Sequence, residues 1–135
     1  LAIDSLAPAD ENNLVQAAHI DINSVTETLT DIESAFDTNF MVNKAQHYLM
    51  TKLIKKGALL FFIGGDNFMA PCNGLSEKEI EDILVEINDE IGIGLKAGIG
   101  VGRNMEDAAY MADLGLEEIR DHDNGMWTWV IEKEY

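Results

Sequence analysis

The chain has 135 residues, the size of one ordinary domain, and its 47% hydrophobic content with only two prolines excludes a disordered or collagen-like polymer. Twenty-five acidic residues against nine basic ones give a formal net charge of −16. That balance argues against a basic face for nucleic acid, where affinity comes mainly from Lys and Arg on phosphates. An anionic ligand meeting such a surface needs a metal cation or focused backbone dipoles to offset the field. The single cysteine, Cys72, excludes an internal disulfide and a multi-cysteine zinc site, and suits a cytoplasmic setting.

Residues 1–13, with Pro8 and the run Asp10-Glu11-Asn12-Asn13, lack an apolar period and read as a linker or docking tail before a domain spanning 14–135. Leu1 is no natural start, so an upstream segment is expected. From Val15 the pattern alternates, with Ala18, Ile20 and Ile22 on one face and His19, Asp21 and Asn23 on the other, as a half-buried strand requires. Phe36-Asp37-Thr38-Asn39-Phe40 reads as a loop. Met41 to Lys56 then repeats apolar residues at Val42, Ala45, Leu49 and Leu53, ends in Lys52, Lys55 and Lys56, and meets the capping Gly57, which predicts a helix.

Two runs follow, Ala58 to Ile63 and Phe68 to Cys72, separated by Gly64-Gly65-Asp66-Asn67, which predicts a hairpin. The first run is far shorter than the roughly 20 residues of a membrane span and reads as a buried strand. Ser76 and Glu79 form a capping box ahead of the stripe Ile80, Ile83, Leu84, Ile87 and Ile91, which predicts a second helix ending at Gly92. Leu95, Ala97, Ile99 and Val101 alternate with Lys96, Gly98 and Gly100, giving a strand whose second face is almost free of side chains. Asn104 starts a third helix through about Arg120, and Trp127, Trp129 and Ile131 mark a last strand.

The order βαββαβ followed by αβ is that of an α+β, ferredoxin-like domain: an antiparallel sheet with helices on one face and a C-terminal αβ extension. In that arrangement the first strand lies antiparallel beside the third, so Asp21 at the end of one meets the hairpin carrying Asp66. Two carboxylates at one sheet end repel each other unless a cation lies between them, and magnesium takes one or two carboxylates plus substrate phosphate oxygens. Asp21 and Asp66, with the Ile22 carbonyl, are the candidate ligands. The Gly64-Gly65 pair lets the hairpin backbone approach a ligand closely.

The stretches His19-Ile20-Asp21-Ile22-Asn23-Ser24-Val25-Thr26 and Phe62-Ile63-Gly64-Gly65-Asp66-Asn67-Phe68-Met69-Ala70 resemble the paired metal motifs of the nucleotide-cyclase and polymerase-palm superfamily. Lys96 to Arg103 and the Ala-rich helix 108–120 are similar to the later part of those domains. More closely, the stretch from Ala17 to Arg120 resembles the C-terminal half of archaeal GTP cyclohydrolase III. The resemblance implies a magnesium-dependent hydrolase that opens the imidazole ring of GTP and removes two phosphates, leaving a formylaminopyrimidine ribosyl monophosphate on the way to riboflavin- and deazaflavin-type cofactors. It also implies an N-terminal cyclase-like half not contained here, and assembly into homo-oligomers.

Carried onto this chain, the resemblance makes Asp21 and Asp66 catalytic metal ligands together with the Ile22 carbonyl. Backbone amides from Asn23 to Thr26, with the Thr26 hydroxyl, are candidates for phosphate, as is Lys96, which could equally pair with Asp21. Gly65 and Asn67 of the hairpin are further substrate candidates, and Asp37 is a candidate for the guanine N1 and N2 groups. His19 shares a face with Asp21 as a general-base candidate, although a packed histidine is the commoner use. His47 and His122 read as solvated, the latter in a loop, Trp127 and Trp129 as sheet packing, and Cys72 as a small core residue. Two other readings are a nucleotidyl cyclase and a non-catalytic palm-like assembly domain. Neither nucleic acid nor a membrane is expected as a partner.

Overall fold

The computed structural model describes residues 13–23, 32–122 and 125–135. Its elements are β1 (Val15–Ile22), α1 (Ile32–Ile54), β2 (Phe61–Gly64), β3 (Asn67–Pro71), α2 (Glu77–Ile91), β4 (Leu95–Gly102), α3 (Met105–His122) and β5 (Thr128–Glu132). The strands form one sheet in the order β2-β3-β1-β4-β5. β1 runs antiparallel to both β3 and β4, while β5 joins β4 in parallel. This is the mixed α+β architecture expected, with the first strand beside the third.

The alternation in β1 sorts the two faces. Ala18, Ile20 and Ile22 enter a core with Val42, Ala45, Leu49 and Leu53 of α1 and Ile80, Ile83, Leu84 and Ile87 of α2. The odd-numbered side chains point the other way, toward α3, where His19 meets Asp113 and Asp21 meets Arg120. The helix of the C-terminal extension therefore covers the opposite face of the sheet. It fits there because β4 is almost bare on that side: a Cβ on Gly98 would stand 2.1 Å from the Ala112 carbonyl oxygen, and one on Gly100 1.9 Å from that of Ala108.

Three expectations are corrected. α1 begins at Ile32, so the Phe36 to Phe40 stretch and Asp37 lie on a helix and not in a loop. Phe36 and Phe40 are 70% and 64% exposed, so this stretch lacks the inward-facing period by which a helix is recognised. The run before the hairpin is an edge strand and not a buried one: Leu59, Phe61, Phe62 and Ile63 are all at least half exposed. His122 belongs to the last turn of α3 and stacks on Trp129 at 5.2 Å between ring centroids. Cys72 is buried as expected, and burial pushes its thiol pKa up.

The start of α2 follows the sequence closely. The Ser76 hydroxyl accepts from the Glu79 amide at 3.1 Å, and the Glu79 carboxylate accepts from the Ser76 amide at 3.2 Å. That second bond holds the Glu79 carboxyl below its ordinary value. Its contribution to stability is therefore present above the ordinary carboxylate range and is lost as the pH falls through the lowered folded-state value. Ser76→Ala should cost about 1 kcal/mol. Urea midpoints at neutral and acidic pH check both statements: the parent should lose stability on acidification, and Glu79→Gln, which has no carboxyl to titrate there, should lose less. Among the described residues, no helix is long and apolar enough to cross a membrane.

Candidate functional site

The site lies where β1 ends. Asp21 is the cross-strand partner of Asn67 on β3 and of Lys96 on β4. Directly paired residues project to the same face, so all three side chains stand on the α3 side of the sheet. The tight turn between β2 and β3 uses two left-handed residues, Gly64 at φ 114° and Gly65 at φ 58°, conformations that side chains strain to adopt. This turn delivers Asp66 to the end of β1, where the Ile22 amide donates to the Asp66 carbonyl at 3.3 Å. The chain crossing thus brings the two motifs together.

Asp21 is buried, at 3% exposure, between two cations. Lys96 Nζ lies 2.8 Å from its Oδ1, and the Arg120 guanidinium donates to Oδ2. Both offset the cost of burying the carboxylate. The Lys96 contact is ionic but lacks hydrogen-bond alignment, so Oδ1 is a buried acceptor without a hydrogen bond. Such an oxygen can accept a hard cation. The Asp66 carboxylate and the Ile22 carbonyl, the other candidate ligands, would complete an all-oxygen donor set, the chemistry magnesium prefers. Among the described residues no group of three or more His, Cys, Asp or Glu is placed to hold a metal. A magnesium ion here would take its other ligands from phosphates and water.

The sequence-derived candidates fare differently. Lys96 pairs with Asp21 and also donates to Asn23 Oδ1 at 2.9 Å. The Asn23 amide is spent on the Gly94 carbonyl at 2.9 Å, so this amide is not free for phosphate, which corrects that expectation. Thr26 lies outside the described residues. Gly65 is exposed at the hairpin tip, and Asp37 is exposed on α1. Asn67 turns its amide back on its own hairpin, where Nδ2 donates to the Gly64 carbonyl at 3.3 Å and to Asp66 Oδ1 at 3.2 Å.

Two residues of the site were not legible as such. Arg120 looks like a basic residue closing a helix, and only the seating of α3 across Gly98 and Gly100 places it over Asp21. Asp113, one more acid in an acidic chain, lies 2.5 Å from His19 Nδ1.

Sheet order and crossing pattern define the class of palm-like α+β domains. Solved structures agree on the fold: the GGDEF domain of PA1120 from Pseudomonas aeruginosa superposes with a TM-score of 0.72 at 15% identity, over 92% of this chain and 86% of that one. The coiled coil and GGDEF domain of DgcB from Caulobacter crescentus superposes with a TM-score of 0.71 at 14% identity, over 87% and 70%. Within that class the chain belongs to the GTP cyclohydrolase III family, which it matches over residues 1–134. It is 62% identical over 120 residues to the GTP cyclohydrolase III of Methanothermobacter thermautotrophicus, covering 89% of this chain and 47% of that protein. To the enzyme of Methanocaldococcus jannaschii it is 62% identical over 106 residues, covering 78% and 40%. The chain thus spans about half the length of the curated relatives it matches.

Proposed function

We propose that this chain supplies a magnesium- and GTP-binding half of a GTP cyclohydrolase III, which hydrolyses the imidazole ring of GTP and releases two phosphates. The observation that carries the reading is the hairpin of Asp66 bonded against the end of β1 beside Asp21, whose buried Oδ1 has no hydrogen bond. The overall reaction consumes three waters. One opens the ring, leaving C8 as a formamide on N7, and two displace the phosphates. Magnesium supplies Lewis-acid charge neutralisation at the phosphates and activation of water.

The protein's own groups bind and orient. Asp21, Asp66 and the Ile22 carbonyl hold the cation. Lys96 and Arg120, which neutralise Asp21 in this structure, exchange that contact for phosphate oxygens when the nucleotide enters. Arg120, with its side chain about half exposed, has room to make that move. The Thr26 hydroxyl and the Gly65 and Asn67 region of the hairpin are further phosphate contacts, and Asp37 is the candidate for the guanine edge. An N-terminal cyclase-like half would account for the rest of the relatives' length, and the exposed apolar edge at Leu59 and Phe61 to Ile63 fits contact with such a half or with another subunit in a homo-oligomer.

Incubation of the chain, together with the other half of such an enzyme, with GTP and magnesium tests the reading. Loss of the purine absorbance with release of two phosphates per GTP is the expected result. Retained absorbance with release of pyrophosphate would instead indicate cyclisation and overturn the proposal. Arg120→Ala should weaken GTP binding about 10- to 100-fold, the value of a charge-assisted hydrogen bond, as isothermal titration with a non-hydrolysable GTP analogue would measure.

A further inference from the structure

The His19 side chain is wedged between two other residues. Its Nδ1 lies 2.5 Å from Asp113 Oδ1 on α3, and its Nε2 lies 2.9 Å from Asn67 Oδ1 on β3. The polarity of the second contact follows from Asn67 itself. Its Nδ2 is already donating to the Gly64 carbonyl and to Asp66 Oδ1, so Oδ1 is the end left to accept from His19. The chain of contacts therefore runs Asp113, His19, Asn67, then the hairpin, and it finishes on a carboxylate oxygen of Asp66 and on the carbonyl of Gly64.

From this we infer that Asp113 and His19 are positioning residues, which orient the Asp66 carboxylate through Asn67 and so couple α3 to the metal-binding hairpin. Three features of the structure support the inference. The Gly64-Gly65 turn has two left-handed glycines and little side-chain packing of its own, so its geometry needs an external tie. The His19 side chain is only 14% exposed, and the imidazole presents its two nitrogens on opposite sides, which lets it span from α3 to β3. Asp113 and Arg120 are two helical turns apart on α3 and reach His19 and Asp21, which are two residues apart on β1. One helix thus acts on both carboxylates, on Asp21 directly and on Asp66 through the relay. His19 is on this account neither the bystander nor the base that a lone histidine suggests.

The inference rests on Asp66 as a metal ligand, and the experiment separates the two. Manganese binding to the 135-residue chain is followed by electron paramagnetic resonance of the free ion, in the parent, Asp66→Asn, Asp113→Ala, Asn67→Ala and the Asp113→Ala/Asn67→Ala double variant. Removing a residue that orients a ligand typically costs 10- to 100-fold in metal affinity, so Asp113→Ala should weaken manganese about tenfold. In the Asn67→Ala background the same change should cost less than about twofold, because the route is already cut. An equal loss in both backgrounds would mean that Asp113 acts only as a nearby negative charge, and would overturn the relay.

Unchanged affinity in Asp113→Ala, with binding lost in Asp66→Asn, would overturn the relay and leave the metal reading intact. Absence of binding in the parent, or indifference to Asp66→Asn, would sink the metal reading and with it the role of the relay in orienting a ligand. The contact chain itself is read without metal, from the Asn67 side-chain amide and the backbone amides of 64–67 in nitrogen-15 correlation spectra. Asp113→Ala should shift them, and unmoved resonances would overturn the relay whatever the metal does.

Discussion

Asp66→Asn is expected to abolish magnesium-dependent binding of GTP, by about 100-fold or more, while moving the unfolding midpoint of the chain very little. Stability is spared because Asp66 is half-buried on a turn. Its backbone carbonyl, which the substitution keeps, makes the bond to Ile22 at 3.3 Å. Binding is lost because an amide oxygen is a neutral ligand, and a cation left with the single carboxylate of Asp21 loses half of the protein charge that holds it. Asp21→Asn should affect both properties, since it leaves two cations facing a neutral buried amide. Calorimetric titration of the GTP analogue with magnesium, beside thermal melts of both variants, checks the contrast. An Asp66→Asn chain that keeps its magnesium-dependent affinity would end the two-carboxylate account.

Gly100→Val is expected to give the largest loss of stability of any single change on β4, about 3 kcal/mol or more. The nearest atoms to the new Cβ would be backbone atoms, the Ala108 carbonyl oxygen at 1.9 Å and the Ala112 amide nitrogen at 2.3 Å, and backbone in a packed helix cannot step aside as a flexible side chain can. α3 must lift off the sheet as a body. The change should therefore also reduce GTP binding, because Arg120 and Asp113 leave with the helix, although Gly100 is remote from the hairpin in the register of β4. Gly92→Ala makes the useful control. It strains a left-handed cap at φ 70° without meeting any atom within 4 Å, so it should cost about 1 kcal/mol and leave the site untouched. Chemical denaturation of the three chains measures the difference. A mild effect of Gly100→Val would show that α3 does not pack as tightly as the structure has it.

Much of this architecture is legible in the order of the amino acids. The capping box at Ser76 and Glu79, the stripe from Ile80 to Ile87, and the alternation from Val15 to Ile22 are local patterns whose periods follow from helix and strand geometry alone. The order of those elements then implies the crossing that sets Asp66 beside the end of β1, and the side-chain-free face of β4 is visible as alternating glycines. The exposed face of the run from Leu59 to Ile63 is not visible, because a short apolar segment has the same composition at a sheet edge as at its centre. The helical stretch of α1 from Phe36 to Phe40 is hidden for a similar reason, since it puts both phenylalanines toward solvent.

What the sequence determined, then, is the set of elements, their order and the two carboxylates, all of which depend on neighbours within a few positions along the chain or on rules of strand crossing. Tertiary structure alone decided which cations serve Asp21 and which groups steady Asp66. Lys96 and Asn67 reach the site by strand register from β4 and β3, whereas Arg120 and Asp113 reach it from α3, and their arrival depends on how closely α3 settles onto the glycine face. That distance is set by backbone contact across the sheet, for which no periodicity along a single chain carries a mark.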